Sequence, residues 1–172
     1  MKIGLVHGRF QPFHNGHKFL VDKMLKEWDL GVILIGSATK QDDKNPFSVG
    51  ARKKMIRGVY GKNKNLFIGA NVDLAHPFAK NAQWDVVFAS CVLSLTGYLP
   101  THVYGGKKEK TLWKRFNPEL RMFNRHKGII GTDIKKLVRE KRLGEVRELV
   151  PREVLKIIKA GDKFSTQRWN FA

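Results

Sequence analysis

The sequence has little cysteine, few acidic residues and no long hydrophobic run. Its single cysteine among 172 residues, Cys91, excludes an internal disulfide. No apolar stretch approaches the roughly 20 residues that cross a bilayer. The N-terminal MKIGLVHGRF lacks the long apolar region and small-residue cleavage site of a signal peptide. We therefore expect a cytoplasmic protein in which Cys91, among apolar neighbours, is a buried structural thiol rather than a nucleophile.

Common nucleotide-binding and metal-binding motifs are also missing. There is no G-x-G-x-x-G, and GVYGKN has neither the spacing nor the Ser or Thr of a Walker A loop. His14 and His17 have no third metal ligand at a recognisable spacing, which argues against zinc. The remaining histidines are isolated in the sequence: His7, His76, His102 and His126.

The shortage of acidic residues leaves a strong positive charge. Thirty-three Lys and Arg against fifteen Asp and Glu give a formal net charge of +18. Such a field attracts phosphates on nucleotides, nucleic acids or membranes, and does not choose among them. Most of these cations are expected on the solvated surface. Because no helix-turn-helix, zinc finger or RNA-binding aromatic motif is present, a nucleic-acid partner is not favoured.

Hydrophobic periodicity predicts alternating strands and helices. Strands are predicted at 3–6, ending at Gly8, and at 31–36, 65–72, 101–106 and 120–124. Helices are predicted at 17–28, 48–60, 81–95, 110–116, 131–143 and 151–161. The predicted helix boundaries are the caps Asn15, Ser48 and Thr132, with Pro151 and Gly161 at the two ends of the last helix.

This alternation is typical of an α/β protein built from parallel βαβ units. We predict a single Rossmann-like, doubly wound domain over residues 1–172, with a mainly parallel sheet and 162–172 as a loosely packed tail. Hydrophobic residues make up 42% of the chain, enough for a core. Ligands of such a fold bind at the carboxyl ends of the strands.

The stretch GRFQPFHNGH lies at the first such strand end. Gly8 permits close approach to the backbone, and the free N–H groups of the following helix start favour an anion. His14 and His17 are three residues apart, so they can face the same side near that helix terminus. Gly16 leaves room between them. Two imidazole donors beside a helix N-terminus predict a phosphate clamp.

GRFQPFHNGH resembles the H-x-G-H signature of the nucleotidyltransferase superfamily. With GRFQPFH in front, it is similar to the nicotinamide mononucleotide (NMN) adenylyltransferases of the archaeal and bifunctional bacterial type. Further segments resemble that family in the same order: VILIGSA at 32–38, KNPFSVGARKKMI at 44–56, NAQW at 81–84, GTDIKK at 131–136 and LVPREVLKIIK at 149–159. The resemblance covers nearly the whole chain.

The resemblance implies a reaction in which ATP and NMN give NAD and pyrophosphate, with Mg²⁺ entering with ATP and no metal held tightly by protein ligands. The oligomeric state, including a homo-oligomer, stays open. The implied catalytic residues are His14, His17 and Lys135. The implied ATP and phosphate contacts are Gly8, Arg9, Phe10, Lys44, Gly131 and Thr132. The implied NMN contacts are Asn81 and Trp84, although Trp84 taken alone fits a core aromatic equally well.

Three positions depart from the family pattern. Ile130 replaces a serine, and Lys135 and Lys44 replace arginines, which keeps the charge and loses the planar guanidinium fork. We expect a divergent but active enzyme. Two alternatives stay open: transfer to another small phosphorylated or pantetheine-like acceptor, including a cytidylyltransferase, and a degenerate protein that only binds nucleotides or nucleic acid.

Overall fold

A five-stranded sheet forms the centre of the computed structural model, which describes residues 1–71, 83–107, 109–113 and 115–161. Its strands are β1 (Ile3–Gly8), β2 (Leu30–Ile35), β3 (Leu66–Ala70), β4 (His102–Gly105) and β5 (Glu119–Met122). They are ordered β3-β2-β1-β4-β5, and every neighbouring pair is parallel. The predicted doubly wound α/β class is therefore confirmed, and the order reverses direction between β1 and β4.

The strands alternate with helices as predicted. The helices are α1 (Asn15–Glu27), α2 (Val49–Tyr60), α3 (Trp84–Thr96), α4 (Glu109–Leu112), α5 (Gly131–Arg139), α6 (Leu143–Leu149) and α7 (Arg152–Lys159). A short 3₁₀ turn at His126–Gly128 was not predicted. The predicted helix at 110–116 is only one turn long. No helix in the described part of the chain is long and apolar enough to cross a membrane.

Each face of the sheet buries its own hydrophobic cluster. In β2, Val32 and Leu34 pack on the side of α3, while Ile33 and Ile35 pack on the side of α1, α2 and the C-terminal helices. All four side chains are fully buried. This alternation explains the continuous apolar run in the sequence, because a strand covered on both faces has no polar side.

Two of the predicted helix caps are wrong. His14, not Asn15, precedes α1, and its ring accepts from the backbone N–H of the third helical residue, which is the bond an N-cap makes. Ile130, not Thr132, precedes α5, and it makes no side-chain cap bond. Ser48 caps α2 as predicted, accepting from the Ala51 N–H at 3.1 Å.

The predicted helix at 131–143 is wrong in extent, because the chain breaks into α5 and α6. Lys141 adopts a left-handed conformation with φ 56°. The Lys141 N–H bonds to the Val138 carbonyl, and the Arg142 N–H bonds to the Leu137 carbonyl. This pair of bonds is a Schellman C-cap, which normally uses glycine. The sequence carries lysine there, so the break had no visible signal. Gly161, by contrast, ends α7 with φ 63°, as predicted.

Two predictions meet a partial answer or none. Cys91 is half-buried against the α3-side cluster rather than fully buried, and burial raises the pKa of its thiol, so it is a poor nucleophile at neutral pH. The predicted tail at 162–172 lies outside the described residues.

Candidate active site

His14 and His17 form a stacked pair at the carboxyl end of β1. Their ring centroids lie 3.6 Å apart with an interplanar angle of 23°. The His17 N–H lies 3.4 Å from Nδ1 of His14, and the His14 N–H lies 3.3 Å from Nδ1 of His17. The two residues thus cap the start of α1 reciprocally, with imidazoles in the place usually taken by a serine and a glutamate.

This reciprocal capping sets the tautomer of both rings. A ring nitrogen that accepts a backbone N–H carries no proton, so the proton of each neutral imidazole resides on Nε2. Each ring therefore presents one N–H donor away from the helix backbone. Two parallel donors at a helix N-terminus are suited to phosphate oxygens.

Both rings are neutral at pH 7 in the absence of ligand. Burial lowers the pKa of His14 to about 4. Burial, followed by the nearby His14, holds the pKa of His17 well below its ordinary value. The rings thus act first as neutral hydrogen-bond donors. A bound triphosphate would favour the protonated form through its negative charge.

The loop between β1 and α1 is held rigidly around this pair. Phe10 is buried with φ 51°, and its ring lies 4.7 Å from that of His17 in an edge-on contact. A Cβ at Gly8 would lie 3.4 Å from the Phe10 ring, so the glycine leaves the ring its place. The Gln11 side-chain amide exchanges two 2.8 Å hydrogen bonds with the backbone of Phe47. These contacts place the histidines without help from a ligand.

Arg52 connects the ends of β1 and β2 beneath the site. Its fully buried guanidinium donates from Nη1 to the carbonyls of Arg9 (2.8 Å) and Gly36 (2.7 Å), and from Nη2 to that of Ser37 (2.9 Å). A buried cation needs such acceptors to offset its lost hydration. Arg52 therefore has a structural role, fixing the backbone of Arg9 while the Arg9 side chain stays exposed.

The start of α5 lies against the histidine pair. A Cβ at Gly131 would lie 3.9 Å from Nε2 of His14 and 3.4 Å from the Gln11 carbonyl oxygen, so only glycine leaves this gap open. Thr132 is the next residue and is exposed. The GTDIKK and HNGH motifs, 117 positions apart, thus border one site.

A group of cations surrounds that helix start. Burial and the charges of Arg9 and Arg139 lower the pKa of Lys135, which places these three cations close together. The Lys135 ammonium donates to the Lys44 carbonyl at 2.8 Å. The Lys44 side chain itself is exposed.

The two predicted NMN contacts have different outcomes. Trp84 is the first residue of α3, half-buried, with its ring 5.8 Å from Phe88, whose own ring lies 4.5 Å from His7. This position is on the face of the sheet opposite α1, at the edge where β1 ends. Asn81 lies outside the described residues.

A cleft of about 510 Å³ opens beside the histidine pair. Its lining includes His14 and His17 at one end and the ends of β4 and β5 further along: Gly105, Gly106, Glu109, Phe123 and His126. The His126 ring stacks on Phe19 at 4.6 Å with an interplanar angle of 11°. A volume of this size suits a nucleotide.

Sequence reasoning missed several of these residues. Arg139, Glu109 and His126 carry no local motif, and they reach the site only because β4, β5 and α5 end at the same edge of the sheet. His7 is spatially isolated from other histidines but lies 3.3 Å from Glu109 (Nδ1 to Oε2). Only the order of strands could have indicated these neighbours.

A parallel sheet with this order and a histidine pair at the β1 end defines a nucleotidyltransferase-type fold, and the chain belongs to the cytidylyltransferase-like family, whose model matches residues 5–143. A nicotinamide-nucleotide adenylyltransferase from Methanococcus maripaludis (strain C6) is 36% identical over 164 residues, which cover 90% of this chain and 87% of that protein. Within the family, the chain therefore belongs with the nicotinamide-nucleotide adenylyltransferases, as its motifs predicted.

Further relatives match part of their own length. A nicotinamide-nucleotide adenylyltransferase from Methanocorpusculum labreanum is 51% identical over 57 residues, 33% of this chain and 34% of that protein. A bifunctional NMN adenylyltransferase/ADP ribose pyrophosphatase from Francisella tularensis superposes with a TM-score of 0.76 at 21% identity, covering 92% of this chain and 49% of that one. This chain thus spans about half of the bifunctional protein. A second structure of the Francisella protein, with a TM-score of 0.68 at 18% identity over 92% of this chain and 52% of that one, holds AMP and a manganese ion.

Proposed function

We propose that this protein transfers the adenylyl group of ATP to NMN, forming NAD and releasing pyrophosphate. The observation that carries the proposal is the reciprocally capped His14–His17 pair, which aims two Nε2 donors into a cleft of nucleotide size. Membership of the nicotinamide-nucleotide adenylyltransferases supports the same reaction.

The ATP phosphates would bind between the histidine pair and the start of α5. The transfer of a phosphorus centre needs two phosphates in line and neutralisation of the charge that develops on their oxygens. His14 and His17 would donate to those oxygens in the transition state, where such donors contribute most. Gly8, Phe10 and Gly131 give the phosphates room and shape, and the backbone at Thr132 adds N–H donors at the helix start.

Lysine and arginine side chains would neutralise the remaining negative charge. Lys135 is the cation closest in role to the histidines, since it lies at the α5 start within the field of Arg9 and Arg139. Lys44 is on the facing loop, and its exposed ammonium is free to turn toward the phosphates. These are compact point charges rather than forks, so they hold position less firmly than arginines.

The acceptor would bind toward α3. The Trp84 ring offers a π-face to the cationic nicotinamide ring, an attraction of about 0.5–2 kcal/mol. Asn81, three residues earlier, would supply a polar contact to the same ring. The 5′-phosphate of NMN then attacks the α-phosphorus of ATP, and pyrophosphate leaves.

Mg²⁺ would enter with ATP. Among the residues that the structure describes, no group of three or more His, Cys, Asp or Glu side chains could hold a metal ion. The ion would therefore be held mainly by triphosphate oxygens, and its chemistry is to neutralise their charge. The manganese ion in the Francisella structure supports the use of a divalent cation.

The test is NAD formation by the purified protein from ATP and NMN, with pyrophosphate measured in parallel. We expect one pyrophosphate per NAD. Nicotinic acid mononucleotide and phosphopantetheine, offered separately, test the alternative acceptors. ATP binding without turnover of any acceptor would instead indicate a protein that only binds nucleotides.

A further inference from the structure

The cleft beside the histidine pair follows the order of the strands. It starts at the loop after β1, with His14, passes the end of β4 at Gly105 and Gly106, and reaches Phe123 after β5. Neighbouring strands are about 4.8 Å apart, so the cleft runs about 10 Å from the first strand end to the third. A nucleotide with its phosphates at His14 would thus have its sugar at the end of β4 and its base beyond.

A buried carboxylate lies at that middle position. Glu109, in the single turn α4, is only 6% exposed and is the only acidic residue among the described residues that line the cleft. An acidic side chain disfavours the triphosphate at this point, because like charges repel. The position suits a neutral, donor-bearing part of the ligand.

The backbone is shaped to hold the Glu109 side chain there. A Cβ at Gly105 would lie 2.6 Å from Cγ of Glu109 and 2.7 Å from its Oε1, so only glycine lets the carboxylate lie against the strand end. A Cβ at Gly106 would meet nothing within 4 Å, which shows that this side of the loop is open.

His7 steadies the carboxylate from below without cancelling its charge. Nδ1 of His7 lies 3.3 Å from Oε2 of Glu109. Burial outweighs this contact and lowers the pKa of His7 to about 4, so the ring is neutral at pH 7. A carboxylate can accept about four hydrogen bonds, and one neighbour such as His7 leaves it capacity for more. Two adjacent hydroxyls of a ribose are donors of the matching kind.

We propose that Glu109 is a specificity-determining residue that accepts hydrogen bonds from the ribose hydroxyls of ATP and thereby selects ribonucleotides over deoxyribonucleotides. The inference rests on the proposed function for the placement of ATP. His7 and Gly105 are positioning residues for this carboxylate.

The experiment compares ATP with 2′-deoxy-ATP and 3′-deoxy-ATP as adenylyl donors. Loss of one hydrogen bond to a charged group corresponds to roughly a 10- to 100-fold change. We expect wild type to favour ATP over at least one deoxy analogue by that factor in kcat/KM. In Glu109→Leu, which keeps similar bulk and removes both acceptors, kcat/KM for ATP should fall to within about threefold of that for the deoxy analogue, and KM for NMN should stay unchanged. Glu109→Gln should give an intermediate ratio.

Glu119→Leu is the matched control, because Glu119 begins β5 at the end of the strand opposite the cleft and is exposed. It should keep the wild-type ratio. The proposal is overturned if wild type uses ATP and both deoxy analogues equally, if ATP and analogues lose activity in parallel in Glu109→Leu, or if only KM for NMN changes. Calorimetric binding of ATP and the analogues to wild type gives the same answer if Glu109→Leu does not fold or if no NAD forms, and absence of NAD alone refutes only the proposed function.

Discussion

The Lys135 ammonium donates a 2.8 Å hydrogen bond to the backbone carbonyl of Lys44, which connects the first turn of α5 to the loop after β2. Arg139, one turn further along, donates to the Asp43 carbonyl at 2.8 Å. Without ligand, these cations are thus directed to backbone carbonyls. A triphosphate would offer them anionic oxygens, for which a charge-assisted bond is about twice as strong.

The departures from the family pattern predict room for improvement at this contact. Lys135→Arg together with Ile130→Ser restores a planar fork at the α5 start and a hydroxyl at its uncapped N-terminus. We expect kcat/KM for ATP to rise by about tenfold or less, since lysine already supplies part of a bond worth roughly 1.5–3 kcal/mol. KM for NMN should be nearly unchanged. Steady-state kinetics with each substrate varied in turn measures both.

Lys136→Arg is the control for this double variant, because Lys136 is exposed and close to Glu140 rather than to the site. It should leave both constants at wild-type values. A double variant that lost activity would show that the pocket is built around lysine, and the roles carried over to positions 130 and 135 would then be wrong.

Replacement of the second histidine should separate catalysis from stability. His17→Ala removes a donor from the transition state, so turnover should fall by about two or more orders of magnitude. It also removes the acceptor for the His14 N–H, so the free energy of unfolding should fall by about 1 kcal/mol. Turnover and urea unfolding measure the two effects separately.

Asn15→Ala is a control in the same helical turn. Asn15 reaches the Glu148 carbonyl rather than the histidines, so this variant should keep near wild-type turnover. Near wild-type turnover by His17→Ala would contradict the catalytic assignment.

Trp84 should matter more for NMN than for ATP. Its half-buried ring lies at the edge of the α3-side cluster, so one face is available to a ligand. Trp84→Ala should weaken NMN binding by roughly threefold to thirtyfold, the range of a cation–π contact, and leave ATP binding little changed. Calorimetry with each ligand alone measures this. Trp113→Phe, in the same cluster but buried, should change neither, and equal weakening of both ligands in Trp84→Ala would return Trp84 to a purely structural role.

Buried histidines predict an acid-sensitive fold. The pKa of His7 and of His14 is about 4 in the folded protein, and that of His17 is well below its ordinary value. The unfolded chain has histidine pKa values near 6.5, so it binds more protons as the pH falls below about 6.5. The free energy of unfolding should therefore decrease from pH 7 to pH 5, by up to about 1.4 kcal/mol per pH unit for each histidine.

Urea unfolding at pH 7, 6 and 5 measures this slope. His14→Gln should make it shallower, because one of the three groups no longer titrates. A wild-type stability that is level across this range would show that the rings protonate freely in the folded protein.

The order of elements and the first motif could be predicted from the sequence, because both depend on neighbouring residues. A two-face apolar run such as 31–36 predicts a covered strand from local pattern alone, and β2 occupies Leu30–Ile35. GRFQPFHNGH likewise places its glycine, aromatic and histidines within one loop and helix start. The net charge of +18 also follows from the sequence alone.

Tertiary structure decided the rest, because these contacts join residues far apart in the chain. The Schellman cap at Lys141 uses a left-handed residue that composition disfavours. The approach of Gly131 to His14, and of Glu109 to His7, depends on which strands lie side by side in the sheet. Sequence therefore determined the phosphate clamp, while the β1–β4 neighbourhood decided which carboxylate and which cations complete the site around it.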